Sequence, residues 1–595
     1  MINLQKNNLD KSSSDYLRQH KDNPIFWQEF SKEVIDYAKS NNKPVFISVG
    51  YSTCHWCHVM ASEAFSDIDI AKFMNENFIS IKVDKELRPD IDNYLMSYIA
   101  KTQGHGGWPL NVVLTPDLKP FIAFTYLPVN EKNGLPPLID VLNFSLDIFK
   151  NNKDSIKDFN IDNMVSESVE ESKIIEYISS SFDEFAGGFG IEPKFPPHNT
   201  LLFLLSYYEK SKDVKVKSMI EKTLDMISLR GLHDHLQGGF FRYCVDPSWS
   251  IPHFEKMLYD QAMLLWIFSS AFKIFNKEEY KIVADKIVKC LDESFLDNDL
   301  YYSAIDADTD HHEGLTYLWS LDELKKVLSN EEFIEFSEVY ELDENFDDKI
   351  HLIKKENKFL SNIENKLLKY RNSKQQPFRD KKFITSWNSL VGIALLMHYR
   401  FTDNISSKDK AVRLFANLLN KHYKNFRLFH SSVNSDEFLE DYSAFLLFST
   451  FIYEDLNKYK DLISEIYSKM KSFNKNNVWH ENLNSDFIDV KANTFDHPYP
   501  SSVSLAELAV LRSNIILGME YSSKDYSLPI NHDFFNLSVF ISNGNYHLIH
   551  SKTPISWNDL PLNSIITHSD DFQDCFNNIC KEFNNKEELI KNLKD

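Results

Sequence analysis

Two cysteines three positions apart, in Tyr51-Ser-Thr-Cys-His-Trp-Cys-His58, carry the strongest chemical signal in this 595-residue chain. A thiolate is the nucleophile of thiol–disulfide exchange, and free backbone N–H groups at a helix start stabilise it. Cys54 is therefore the expected attacking thiol. Cys57, one turn further on, can attack the mixed disulfide and release the partner. His55 adds positive charge beside the thiolate and makes the pair more oxidising. Cys54-His-Trp-Cys-His58 also fits covalent haem attachment, and Cys54, Cys57 and His58 fit zinc if His105 supplies a fourth ligand. The setting between a strand and a helix favours redox chemistry over both, so no cofactor and no resident metal is expected.

A second concentration of acid–base and aromatic groups lies between Gly238 and Asp260, and it contains Arg242, Tyr243, Trp249, His253, Glu255 and Asp260. Asp306, Asp308 and Glu313 follow in a later loop, while Trp387 and Glu440-Asp441 open helices. Glycoside chemistry needs two carboxylates across a bond and aromatic faces for the ring. Sugar epimerisation needs a base on each face, often histidine. Singly, such residues are as often caps and turn formers. Together they predict a pocket. His253, Glu255, Asp260, Asp306 and Asp308 would share one rim, with Tyr243, Trp249 and Trp387 nearby. Cys244 and Cys290 read as packing residues, and Cys575 and Cys580 could pair or relay electrons.

The elements that must hold these groups differ along the chain. Lys43–Val49 reads as a buried strand, Cys54–Asn77 as a helix, Phe78–Val83 as a second strand and Leu110–Leu114 as a third. That alternation predicts an α/β layer with parallel pairing. Pro109 stands just before the third strand, where a thioredoxin fold holds a cis-proline against its active site; the cis state is expected by that analogy. From about residue 168 helices come in pairs: 199–211 with 214–230, 257–274 with 277–296, 386–402 with 407–423, and 440–456 with 459–474, then 502–516. A ring of such hairpins would gather the loops between pairs at one end. The stretch 342–382 reads as loop with one helix, and 534–595 returns to mixed character, with Leu537–Ile541 as a strand and Glu587–Leu593 as a helix.

Composition bounds the partners. Hydrophobic residues make up 43% and aromatics 14%, enough for several cores. A net charge of −22 argues against nucleic acid and anionic membranes, which need a basic face. The N-terminal residues lack the apolar core of a signal peptide, and the runs Leu390–Met397 and Phe445–Tyr453 are too short to span a bilayer. Six cysteines are too few for a disulfide-stapled secreted chain, so a cytoplasmic location is expected.

Longer phrases carry a family resemblance. Gly50-Tyr-Ser-Thr-Cys-His-Trp-Cys-His-Val-Met60, Asp84-Lys-Glu-Leu-Arg-Pro-Asp-Ile-Asp92, Gly106-Gly-Trp-Pro-Leu-Asn111 and Pro252-His-Phe-Glu-Lys-Met-Leu-Tyr-Asp260 resemble the spermatogenesis-associated thioredoxin-like proteins. Gly187-Gly-Phe-Gly190, Pro193-Lys-Phe-Pro196, Thr385-Ser-Trp-Asn388 and Leu439-Glu-Asp-Tyr442 continue it through most of the chain. The resemblance implies a multidomain protein: an α/β thioredoxin-like fold (1–165), then an all-α (α/α)6 toroid (166–530) similar to six-hairpin glycosidases and N-acylglucosamine 2-epimerases, then a small α/β segment (531–595). Three departures stand out. Ser48 lies six residues before Cys54, where thioredoxins carry a buried acid; Thr53 replaces their Trp; and 321–380 is shorter than the family norm. The first two favour a dedicated partner over general disulfide reduction.

The leading expectation is a thiol–disulfide oxidoreductase whose toroid binds a specific redox partner or small-molecule substrate, with Cys54, Cys57, His55 and Pro109 as its working residues. Arg242, Tyr243, Trp249, His253, Glu255, Asp260, Asp306, Asp308, Trp387 and Asp441 would contact the substrate. The alternatives are a sugar-processing enzyme with a regulatory thioredoxin domain and a non-catalytic binding protein. Elemental analysis and a visible spectrum of chelator-free protein should show neither haem nor one zinc per chain. A stoichiometric zinc lost in Cys57→Ala would replace the redox reading with a metal site.

Overall fold

The computed structural model describes residues 3–161, 171–519, 546–576 and 579–594. The chain divides into two compact units, and the first is discontinuous: Met1–Asn163, Val433–Phe438 and Lys475–Ala492. The two later segments fall inside the range that the sequence assigns to the toroid. The C-terminal segment, expected as a third domain, clusters with the second unit.

The first unit contains strands β1 (Gln28–Glu29), β2 (Val45–Gly50), β3 (Ile79–Asp84), β4 (Leu110–Leu114) and β5 (Pro120–Phe124), ordered β1-β3-β2-β4-β5. β2 and β3 are buried along their whole length, which explains the near-continuous apolar run of β2, whereas β3 alternates Ile79, Ile81 and Val83 with buried Ser80, Lys82 and Asp84. They pair in parallel, as expected, but β4 runs antiparallel to β2, and β5 antiparallel to β4. The connection after α5 (Pro89–Gln103) turns at Gly104, φ +78°, and brings Leu110 opposite Val49, so the chain enters β4 where β2 leaves. Alternation of elements does not set the direction of the last strand.

Other helices here are α1 (Asp15–Gln19), α2 (Lys32–Ser40), α3 (His55–Ser62), α4 (Ile68–Asn77) and α6 (Leu138–Asn151). The single helix expected over 54–77 is two. The chain leaves helical geometry at Glu63 and restarts at Asp67, whose carboxylate accepts the N–H groups of Asp69 and Ile70. The later segment joins the same core: Phe487 packs edge-on to Phe30 and Tyr94, and Arg88 bonds both Asp90 and Asp486.

The second unit holds α7 (Glu171–Ser180), α8 (His198–Ser211), α9 (Val214–Leu229), α10 (Leu258–Phe275), α11 (Glu278–Cys290), α12 (Leu321–Val327), α13 (Asn330–Val339), α14 (Ser361–Arg371), α15 (Thr385–Thr402), α16 (Ile405–His422), α17 (Leu439–Leu456), α18 (Lys460–Met470) and α19 (Ser502–Leu517). The pairs match the expected ones closely, and α14 is the one helix expected in 342–382. α10, α15, α17 and α19 are buried nearly all round, whereas α9, α11, α16 and α18 bury one face. α8, α10, α15, α17 and α19 therefore form the inner layer of a helical toroid, packed in that succession. The start of α8 is tied back to the chain before α19: Asn199 Nδ2 donates to the Asp496 carbonyl at 3.1 Å, and His198 Nδ1 lies 2.8 Å from the Pro498 carbonyl. A Cβ at Gly392 would sit 2.2 Å from the Phe448 ring, so glycine permits the close approach of α15 and α17.

A C-terminal sheet closes the far ends of the inner helices. Strand His547–Ser551 runs parallel to Ser564–His568 and antiparallel to Phe572–Phe576, which pairs with Ile579–Phe583. Glu454 of α17 accepts from Arg400 of α15 and the Ile566 N–H, and it pairs with Arg512 of α19. Trp557 donates its indole N–H to Asp455 and lies under the Arg400 guanidinium, 3.7 Å from ring centre to Cζ. Cys575 and Cys580 face each other across two strands as a disulfide. Lys586–Lys594 is helical, whereas the strand expected at 537–541 lies outside the described residues.

One buried ion triad anchors the loop that carries the second cluster. Asp234 accepts Lys256 Nζ at 2.7 Å and both Arg371 guanidinium nitrogens at 2.8 and 2.9 Å. Burial pushes the Asp234 carboxyl up, but Arg371 and Lys256 outweigh it and hold the group well below the usual range. Asp234→Asn leaves two buried cations without a counter-charge and should cost about 3–5 kcal/mol in urea unfolding. Because the folded pKa is depressed, the loss relative to the native protein should be constant from neutral pH down to about 5 and shrink below about 4. A pH-independent difference would show that the triad contributes no net charge pairing.

Candidate functional site

Gly50 ends β2, and the buried residues Tyr51, Ser52 and Thr53 lead to Cys54, which caps α3. Its Sγ accepts the Cys57 N–H at 3.2 Å, and the two cysteines form a disulfide. The cap explains the motif: sulfur takes the place of the usual cap oxygen at a positive helix end. Both cysteines are buried, yet Trp56 between them is 48% exposed and packs on Tyr126 with ring centres 5.1 Å apart. The Tyr126 hydroxyl donates to Glu63. His55 is half-buried beside Trp56, and His58 Nε2 lies 2.8 Å from the Ser52 carbonyl. The Trp108–Pro109 peptide is cis and Pro109 is buried; Trp108 donates its indole N–H to Asp92 at 2.8 Å. This edge of the sheet thus holds the Cys54–Cys57 disulfide beside the Trp56 and Tyr126 rings.

The second site grows from the extended residues Pro252–Met257, where side chains alternate between two faces. Phe254 and Lys256 point into the core, Phe254 stacked on Tyr317 and Lys256 on Asp234. His253 and Glu255 take the other face. His253 Nδ1 bonds Glu313, and Glu255 accepts Arg242 at 2.9 Å with His253 Nε2 3.7 Å away. Tyr243 pairs with His253 in a short antiparallel ladder, and Phe195 stacks on Tyr243 with ring centres 4.7 Å apart. His497 meets Phe195 edge-on. Burial pushes the Tyr243 phenol up to about 12. Burial, with Arg242 and His198 close by, lowers His497 to about 3, and burial alone takes His198 to about 4.

The remaining groups sit in the first turns of inner helices: His198 on α8, Asp260 on α10, Ser386 and Trp387 on α15, Glu440 and Asp441 on α17. His198 Nε2 lies 3.6 Å from Asp260. Tyr259 packs on both Trp387 and Tyr499, and the Tyr499 hydroxyl donates to Glu440 at 3.3 Å. Asp441 accepts the Ser386 N–H at 3.0 Å and pairs with His430 Nδ1 at 2.8 Å. Burial raises the Asp441 carboxyl, against the pull of His430. His430, Glu440 and Asp441 are close enough to hold a cation, with candidate ligand atoms within 4.8 Å of one another, and His430 Nδ1 is hydrogen-bonded to Asp441 while Glu440 accepts from Ser386 and Tyr499.

The structure thus brings Arg242, Tyr243, His253 and Glu255 together, and Asp260, Trp387 and Asp441 in a neighbouring group linked through His198, His497 and Tyr499. Trp249 does not join them. It is fully buried and donates its indole N–H to the Ala186 and Gly187 carbonyls, a packing role set by the Gly187-Gly188 turn. Asp306 accepts the Asp308 N–H at 3.1 Å, and Asp308 pairs with Glu313, so this hairpin presents Glu313 to His253. His198, His430, His497 and Tyr499 escape a motif reading. His198 opens α8, His497 and Tyr499 lie in the loop ahead of α19, and His430 follows the strand Arg427–Leu428 with no local signal of its own.

These features define a thioredoxin-like domain and a helical toroid in one chain. Residues 6–168 match the family Thioredox_DsbH, described as a protein of unknown function, DUF255. The expected resemblance is found in two relatives. An uncharacterized protein of Caenorhabditis elegans is 34% identical over 69% of this chain and 64% of its own length, and spermatogenesis-associated protein 20 of Mus musculus is 38% identical over 54% and 44%. The matched region thus spans less than two thirds of these relatives. Similar solved structures include a D-mannose isomerase (TM-score 0.40, 11% identity, 58% of this chain and 78% of that one) and the cellobiose 2-epimerase of Spirochaeta thermophila (0.40, 13%, 62% and 93%).

His198 and His497 should stay neutral from pH 8 to about 5, because burial disfavours their charged forms. NMR of ¹⁵N-histidine-labelled protein, assigned with His198→Gln and His497→Gln, reads this directly. A midpoint near about 6.5 for either ring would place it in water rather than in the network.

Proposed function

We propose that the protein is a cytoplasmic thiol–disulfide oxidoreductase whose toroid binds a specific polar substrate or partner. The observation that carries this reading is the Cys54–Cys57 pair capping α3 at the end of a buried strand. In the reduced form the Cys54 thiolate attacks a partner disulfide and displaces one partner sulfur. The Cys57 sulfur then attacks Cys54 Sγ, forming the internal disulfide and releasing the second partner sulfur. Two electrons pass to the partner, and both of its sulfurs leave as thiols. Exposed Trp56 and Tyr126 supply apolar contact for the partner chain.

A second reading assigns the toroid to sugar processing. Its support is the convergence of His253, Glu255, Asp260, Glu440 and Asp441 with the faces of Tyr243, Tyr259 and Trp387. Glycosides, sugar epimers and peptides tested against native protein and Glu255→Gln separate these options. Turnover lost in the variant while binding survives supports catalysis, and no turnover in any class supports a binding module.

The redox reading is tested by trapping. Cys57→Ser should accumulate a stable mixed disulfide with substrate proteins, and Cys54→Ser should not. Iodoacetamide should label Cys54 before Cys57, with a midpoint below about 8.5, the value of an unperturbed cysteine. Preferential labelling of Cys57, or a midpoint at that value, removes the proposal.

A further inference from the structure

The exchange proposed above needs Cys57, which is 1% exposed, to lose a proton inside the protein. We propose, resting on that redox reading, that Tyr16 and Lys82 form the internal proton acceptor for Cys57, with the Tyr16 hydroxyl beside the sulfur and the Lys82 amine against the phenol ring.

Gly50 marks the junction. A Cβ on this residue would lie 2.3 Å from Tyr16 Oη and 2.7 Å from Cys57 Sγ, so the phenol and the sulfur share the space that the missing side chain leaves. Tyr16 is fully buried, and its hydroxyl has no hydrogen-bond partner among the described residues. A buried hydroxyl without a partner is costly to keep unless a group that forms during function uses it. The Cys57 thiolate is such a group, since it would accept a hydrogen bond that the disulfide sulfur takes only weakly.

Lys82 lies among the Tyr16, Trp27 and Phe65 rings. Its Nζ lies 5.3 Å from the Tyr16 ring centre, 5.0 Å from Trp27 and 4.5 Å from Phe65, and it donates to Ser48 Oγ at 2.9 Å. Lys82 is buried, and no carboxylate pairs with it among the described residues. Such an amine is poorly held as a cation. Burial lowers the Lys82 ammonium well below its ordinary range, so a neutral nitrogen is available to take a proton. Burial and the Asp84 charge raise the Tyr16 phenol, which keeps it a donor. The other titratable neighbours are fixed. Ser14 Oγ donates to Asp84 at 2.6 Å, and burial is the main cause that disfavours the charged form of His20, which lies edge-on to Tyr16.

The step balances as follows. The Cys57 S–H proton moves to the Lys82 amine by way of the Tyr16 hydroxyl. The sulfur electron pair forms the bond to Cys54 Sγ, and the bond from Cys54 to the partner breaks with its pair on the partner sulfur. The ammonium then returns its proton toward the leaving thiolate. Lys82 is a positioning and proton-holding residue that acts through Tyr16.

The test uses the reduced full chain and glutathione disulfide. Attack by Cys54 gives a mixed disulfide, and its resolution by Cys57 releases a second glutathione; both are followed by quenching and mass spectrometry from pH 6 to 9. Lys82→Met and Tyr16→Phe should leave the first step unchanged. They should slow resolution at pH 6.5 by about 100-fold and make it rise tenfold per pH unit, as hydroxide replaces the lost acceptor. Tyr16→Phe removes one buried oxygen and tests the idea even if Lys82→Met fails to fold. Resolution at the native rate and pH profile in a folded variant overturns the proton acceptor and leaves the redox reading intact. No mixed disulfide in the native protein overturns both.

Discussion

A buried charge must be paired, and the Asp234 carboxylate between Lys256 and Arg371 is the pairing on which the toroid site depends. Lys256 is fixed on the core face of an extended segment, so its neighbours His253 and Glu255 have only the opposite face to occupy. Arg242 and Glu313 then reach them from separate loops. Remove the triad and nothing in the local sequence decides which face of Pro252–Met257 looks inward, since Phe254 and His253 are both large enough to pack.

The first unit relies on a different constraint, the end of a fully buried strand. β2 carries no polar side chain except Ser48, and every residue from Val45 to Gly50 is buried. The chain can therefore present Cys54 only after the turn at Tyr51–Thr53, where the helix start supplies the N–H groups a sulfur anion needs. Gly50 is forced by the same crowding, because Tyr16 and Cys57 occupy the volume of any side chain there.

Sequence patterning carries the elements further than their directions. The paired helices are legible because the inner members are apolar all round and the outer members on one face, a contrast that survives in any register. The antiparallel direction of β4 is not, since it depends on where Gly104–Pro109 lets the chain return. The break between α3 and α4 is hidden by apolar spacing that continues through Phe65, although Ser66-Asp67 carries the cap that restarts the helix. The site divides in the same way. Arg242, Tyr243, His253 and Glu255 lie within one short phrase, so local spacing brings them together. His198, His430 and His497 come from three distant segments, and Trp249 mimics a ligand-facing aromatic while filling the space over Gly188.

Both sites stand on helix N-termini, and the sign of the partner charge differs in meaning. At α3 the positive end faces the Cys54 sulfur, which is uncharged in the disulfide and would be stabilised there as a thiolate. At α10, α15 and α17 the first turns already hold Asp260, Glu440 and Asp441, and the Ser386 N–H is committed to Asp441. Helix dipoles there support resident carboxylates instead of recruiting an anion. Burial disfavours the charged forms of the neighbouring imidazoles of His198 and His497, and the Arg242 guanidinium is engaged by Glu255. The site is thus built from acids already held by their own helix starts and hydrogen-bond partners, beside the stacked rings of Tyr243 and Phe195.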